Sequence, residues 1–133
     1  MTPVSELLDP SSNAELYVAS VLTFYLDMPD TPLRTNTMDQ RQARTWFQSS
    51  VSVSVVETAL LLGSFRRLAR PRDLPPLPRI RSLAYFQPVI EELLANPVPD
   101  GYLPYLRFRL RRMMDKAESD PAPGSMPAGS EEV

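Results

Sequence analysis

The sequence predicts an all-α protein: a compact orthogonal bundle of about five helices with a disordered C-terminal tail. Three observations carry this. Apolar residues recur at three- and four-residue intervals over segments long enough for helices. Hydroxyl residues head those segments, with an acid or amide three positions later, the pattern of a capping box. Proline clusters separate the segments, where a missing donor and a restricted predecessor stop a helix. The strand-like alternation Val51-Ser52-Val53-Ser54-Val55 is too short to argue otherwise.

The first helix is expected to begin at Ser12, where Ser12-Asn13-Ala14-Glu15 fits a capping box. Val18, Val21, Leu22 and Tyr25 form its apolar face, and Met28-Pro29-Asp30-Thr31-Pro32 ends it. A second helix opens between Thr37 and Asp39 and reaches Gln48, with Ala43, Trp46 and Phe47 inward and Arg41, Arg44 and Gln48 outward. The third starts at Ser52 or Ser54, where Ser54-Val55-Val56-Glu57 offers another box, and runs to Leu68. Leu60-Leu61-Leu62 makes it apolar almost all round, which marks the central buried helix.

Pro71, Pro75, Pro76 and Pro78 make 70–79 a semi-rigid extended connector. The fourth helix covers Arg81 to Ala95, with Leu83, Phe86, Ile90 and Leu93 inward; Pro88 kinks it or restarts it. The fifth runs from Tyr102 to Ala117, with Leu103, Leu106, Leu110 and Met113 on one face. Residues 1–11 read as a flexible N-terminus, 12–118 as a single helical domain, and 119–133 as a disordered acidic tail of proline, glycine, serine and acid.

Composition narrows the chemistry. The 133 residues suit one domain and contain neither cysteine nor histidine. Thiol and imidazole catalysis, disulfides and the usual zinc ligands are excluded on that ground. Glu91 and Glu92 are adjacent and point apart on a helix, so they do not share a site. No phosphate-binding glycine loop is present. The expectation is a non-enzyme with no cofactor and no metal. No basic-then-apolar leader is seen, and the apolar run Ala59 to Leu62 is too short to span a bilayer, so the expected location is the cytoplasm without membrane association.

Charge is divided along the chain. Residues 1–33 hold five acids and no base, residues 34–112 hold thirteen arginines against six acids, and residues 113–133 hold one lysine against five acids. A basic middle between acidic ends points to an anionic partner. A GC-rich genome explains an excess of arginine over lysine, and the dipole of the third helix favours cations at its C-terminal end. Neither explains the whole of the cluster Arg66, Arg67, Arg70, Arg72, Arg79 and Arg81. With Arg107, Arg109, Arg111 and Arg112, these are expected to form one phosphate-binding face, and Tyr85 to stack on an unpaired base. The helix-turn-helix spacing of 39–68 is a weaker candidate, because its second helix opens with Ser54, Glu57 and Thr58 and lacks a base-reading arginine or asparagine. The alternative is a helical protein–protein interaction module, a homodimer or adaptor, using apolar surface on the first and fourth helices.

One family resemblance stands on particular residues. Ala43-Arg44-Thr45-Trp46, then Val55-Val56-Glu57-Thr58-Ala59-Leu60, then Arg81-Ser82-Leu83-Ala84-Tyr85-Phe86 followed by Val89-Ile90, resembles the DnaD-like helical domain of bacterial and phage replication-accessory proteins. The resemblance implies an all-α fold and contact with single-stranded DNA through Tyr85 and Val89 or Ile90. The chain departs from the family at Pro88, and at Leu93 and Leu94, which stand where a tryptophan is expected. The Ser-Leu-Ala-Tyr-Phe block is also similar to one in small bacterial proteins that bring no function with them.

Overall fold

Asn13 caps the first helix: its side-chain oxygen accepts from the backbone N–H groups of Glu15 and Leu16 at 2.9 and 3.1 Å. This computed structural model describes residues 13–119; the segments 1–12 and 120–133 lie outside the described residues, and with them the expected flexible N-terminus and nearly all of the expected acidic tail. The cap is therefore one residue later than the Ser12 box suggests. Asparagine reaches the same donors as serine.

Five α-helices and one 3-10 helix follow. They are α1 (Ala14–Leu26), α2 (Thr37–Gln48), α3 (Val53–Leu68), the 3-10 helix (Leu83–Phe86), α4 (Gln87–Ala95) and α5 (Tyr102–Ser119). No strand occurs among the described residues. The fold is all-α, as the periodicity predicts.

The starts of α2, α3 and α4 have chemical causes. In α2 the Asn36 side chain accepts from the Asp39 N–H, and the Asp39 carboxylate accepts from the Asn36 N–H, a complete reciprocal box. In α3 the cap is Ser52, accepting from the Val55 N–H at 3.2 Å. The expected Ser54–Glu57 box does not form. Ser54 is already helical, its carbonyl accepts from the Thr58 hydroxyl, and Glu57 is engaged by Arg107. Pro88 neither kinks nor interrupts α4. The chain restarts there, with a 3-10 turn before it and Pro88 in the first turn, where its missing donor has no intrahelical partner to lose. α5 continues through Ser119, two residues beyond the expected end.

α3 is the hub. It packs against α1, α4, α5 and the 3-10 helix, while α2 packs against α1. Its buried residues run unbroken from Thr58 to Ser64, which is why it reads as apolar all round. Around it lie Tyr17, Val21 and Tyr25 of α1, Ala43 and Trp46 of α2, Leu83 and Phe86 of the 3-10 helix, Ile90 and Leu93 of α4, and Leu106 and Leu110 of α5. α3 and the 3-10 helix meet at Gly63. A Cβ there would lie 2.8 and 2.9 Å from two ring carbons of Phe86, so only glycine admits this approach.

The connector between α3 and the 3-10 helix has no helix or strand, and residues 71–79 are exposed. It is nevertheless tied to the body. Ile80 is buried, and its N–H donates to the Asp30 carbonyl at 3.0 Å. Asp30 holds the left-handed φ of 64°, a conformation that aspartate tolerates better than most residues. The far end of the connector is fixed by Asp39, whose second carboxylate oxygen accepts from the Leu83 N–H at 2.9 Å.

Candidate functional site

The arginines expected to form a single basic face divide into three groups. The first is spent on the fold. Arg67 has a side chain only 8% exposed; it donates to the Pro78 carbonyl at 2.8 Å and to the Tyr85 hydroxyl at 3.1 Å, and approaches Asp30 at 3.4 Å. Its guanidinium also stands 5.4 Å over the Tyr85 ring. Arg66 makes a bidentate pair with Glu92 at 2.9 and 2.6 Å, and Arg107 grips one oxygen of Glu57 through two nitrogens. Fork-shaped pairing of this kind is the strong form of the interaction. The hydrogen bond from Arg66 holds the Glu92 carboxyl below the usual carboxylate range, and the bond to Glu92 raises Arg66 in return.

The second group lies on the connector. Arg70 donates to the Pro75 carbonyl at 3.3 Å and Arg79 to the Thr31 carbonyl at 3.2 Å. Arg72 and Arg81 are exposed. Arg67 is thus a structural strut, contrary to its expected role on a phosphate-binding face. Its sequence position between Arg66 and Arg70 hides this, because the pairing carbonyl lies eleven residues away on an irregular segment. Tyr85, expected to stack on an unpaired base, is half-exposed, but one face of its ring carries the Arg67 guanidinium.

The third group is on α5. Leu106 and Leu110 bury one face of this helix against α3. The opposite face carries Tyr105, 49% exposed, and Phe108, 58% exposed, among Arg109, Arg111, Arg112 and Lys116. The spacing 105, 108, 112, 116 keeps these on one helical stripe. Arg109 donates to the Tyr105 hydroxyl at 2.8 Å and stands over the rings of Phe65 and Tyr105; Arg112 stands over Phe108. These contacts hold the cations beside aromatic faces and leave their charge uncancelled: among the described residues, no carboxylate pairs with Arg109, Arg111, Arg112 or Lys116. Phe108, Arg109, Arg112, Met113 and Lys116 line a shallow cleft of about 530 Å³.

Sequence reasoning includes the arginines of this surface but misses its aromatics. Tyr105 and Phe108 fall off the Leu103–Leu106–Leu110 stripe, and that offset is the signal that exposes them. Three or more acids do not gather into a metal-binding group among the described residues. None of the described helices is long and apolar enough to cross a membrane. No protein-family model matches the chain, and no curated protein or solved structure matches it.

Proposed function

We propose that the protein binds nucleic acid without catalysing a reaction, in a replication-accessory or DNA-maintenance role in the cytoplasm, and that the outward face of α5 makes the contact. One observation carries the reading: two exposed aromatic rings interleaved with four cations that have no acidic partner among the described residues. Phosphates are drawn by the cations, and unpaired bases stack on rings without regard to sequence.

Fluorescence anisotropy with labelled single- and double-stranded oligonucleotides tests this. For about four phosphates on a single strand, affinity falls roughly fiftyfold between 50 and 200 mM salt. Phe108→Ala weakens single-strand binding by about 1–3 kcal/mol per lost stack. Absence of salt-dependent binding at micromolar protein rejects the reading.

A second reading, a homodimer or adaptor that binds protein, is favoured by the pairing of Arg66 with Glu92 and Arg107 with Glu57 within the chain, which removes two arginines from a phosphate-binding face. Leu26 and Leu94 also expose apolar surface on α1 and α4. Light scattering that shows a dimer, together with no oligonucleotide binding, selects this second reading.

A further inference from the structure

From Thr31 to Val56 the chain holds a single acid, Asp39. It is buried, spent on the α2 capping box and on the Leu83 N–H. The same stretch carries Arg34, Arg41 and Arg44, all exposed, and among the described residues no carboxylate pairs with any of them. The solvated surface of a soluble domain ordinarily intersperses charges of both signs. Here the exposed charges are cations alone.

Two of these cations sit on a helix with one covered side. α2 packs on α1 and the 3-10 helix, and it buries Asp39, Ala43 and Trp46. By the helical period, Thr37, Arg41, Arg44 and Gln48 form one row opposite that buried stripe, and all four are exposed. Gln40 flanks the row on one side, Met38 and Thr45 on the other, and these are exposed too. Leu33, 97% exposed, stands with Arg34 just before the helix.

We propose that this face of α2 enters the major groove of B-form DNA and reads base edges there. The dimensions fit, because a helix with its side chains is about 10–12 Å across and the groove is about 12 Å wide. Thr37 to Gln48 spans about 16 Å, the rise of about five base pairs. The chemistry fits as well. A guanidinium fork donates to O6 and N7 of guanine, a glutamine carboxamide pairs with N6 and N7 of adenine, and an apolar group such as the Met38 side chain packs on a thymine methyl. Arg34, at the N-terminal end of the row, is placed for a phosphate at the groove rim. An acidic protein or a lipid surface would satisfy the arginines alone. The carboxamides and hydroxyls in the same row match base edges, which present both donors and acceptors. α3, the second helix of the 39–68 spacing, is the buried hub and lacks base-reading residues; those residues lie on α2. The site shares no residue with the α5 face and stands whether or not α5 binds single strands.

The test begins with short DNA duplexes of randomised centre, captured by the full chain at about 50 mM salt and sequenced. An enriched motif of about five base pairs that includes guanine is expected. On the enriched duplex, Arg41→Ala and Arg44→Ala should each weaken binding about tenfold by fluorescence anisotropy. An RNA duplex of the same sequence should bind at least about tenfold more weakly, because its deep, narrow major groove does not admit a helix. Both variants should keep any single-strand binding, which belongs to a different helix. Circular dichroism checks that they fold; if one does not, the RNA comparison on the native chain decides. No capture of duplex at about 50 μM protein overturns the proposal. So does capture without a motif, equal affinity for the RNA duplex, undiminished binding by Arg41→Ala/Arg44→Ala, or a parallel loss of single-strand binding in that double variant. Failure of the native chain to bind single strands rejects the α5 reading and leaves this one standing.

Discussion

Tyr17 and Tyr25 both lie fully buried on α1, yet their hydroxyls are treated differently. Tyr17 donates to the Val51 carbonyl at 2.7 Å, tying α1 to the α2–α3 turn, whereas the Tyr25 hydroxyl finds no hydrogen-bond partner among protein groups. Tyr17→Phe should lower stability by about 1 kcal/mol, since it strands a buried carbonyl. Tyr25→Phe should leave stability unchanged or raise it by up to about 1 kcal/mol, since it removes an unsatisfied group. Urea midpoints for the two variants check the contrast. Burial pushes both phenols from 10.0 up to about 12, with Asp39 adding to the effect at Tyr25. The unfolded chain therefore releases these protons first. Stability is undiminished by them below pH 10 and falls as pH rises from 10 through about 12, which alkaline denaturation followed by circular dichroism will show. The burial of Tyr25 was legible from its place in the helical period. Its lack of a partner was not, because that depends on which atoms the other helices bring near it.

Among the elements, α3 owes its central position to small residues as much as to its leucines. Gly63→Ala gains about 1 kcal/mol of helix propensity but drives a methyl into the Phe86 ring, which is fully buried and has no room to retreat. The net effect should be a loss of about 1–2 kcal/mol, read from thermal or urea melting. Asp39 shows the opposite case, a charged residue that holds elements together. One side chain closes the α2 capping box and also accepts from the first N–H of the 3-10 helix. Asp39→Ala strands two backbone donors and should cost about 2–4 kcal/mol, measured the same way. Periodicity located every helix, because Leu83, Phe86, Ile90 and Leu93 keep one stripe whether or not the chain restarts at Pro88. The caps were placed less well. Ser12, Ser52, Ser54, Asn13 and Asn36 are all competent, and tertiary contacts such as Glu57 with Arg107 decide among them.

At the scale of the whole molecule, clustered arginine in sequence does not become one basic face. The 66–81 run crosses from a helix end to a strap that folds back over it, so Arg67 and Arg70 find carbonyls and Arg66 finds a carboxylate. Only the geometry of the return reveals this, whereas the α5 cations project from a single helix and stay legible. Arg67→Met should therefore act as a core substitution, costing about 2 kcal/mol of stability and loosening the strap, while leaving the α5 surface intact. Urea denaturation alongside oligonucleotide titration separates the two effects. The bond from the Ile80 N–H to the Asp30 carbonyl has one more consequence. It staples the α3–α4 crossing to the α1–α2 turn through an amide outside any helix, so the proline segment is not a hinge between two halves. In deuterium exchange, the amide of Ile80 should be among the slowest outside the helices, opening only when the whole chain unfolds.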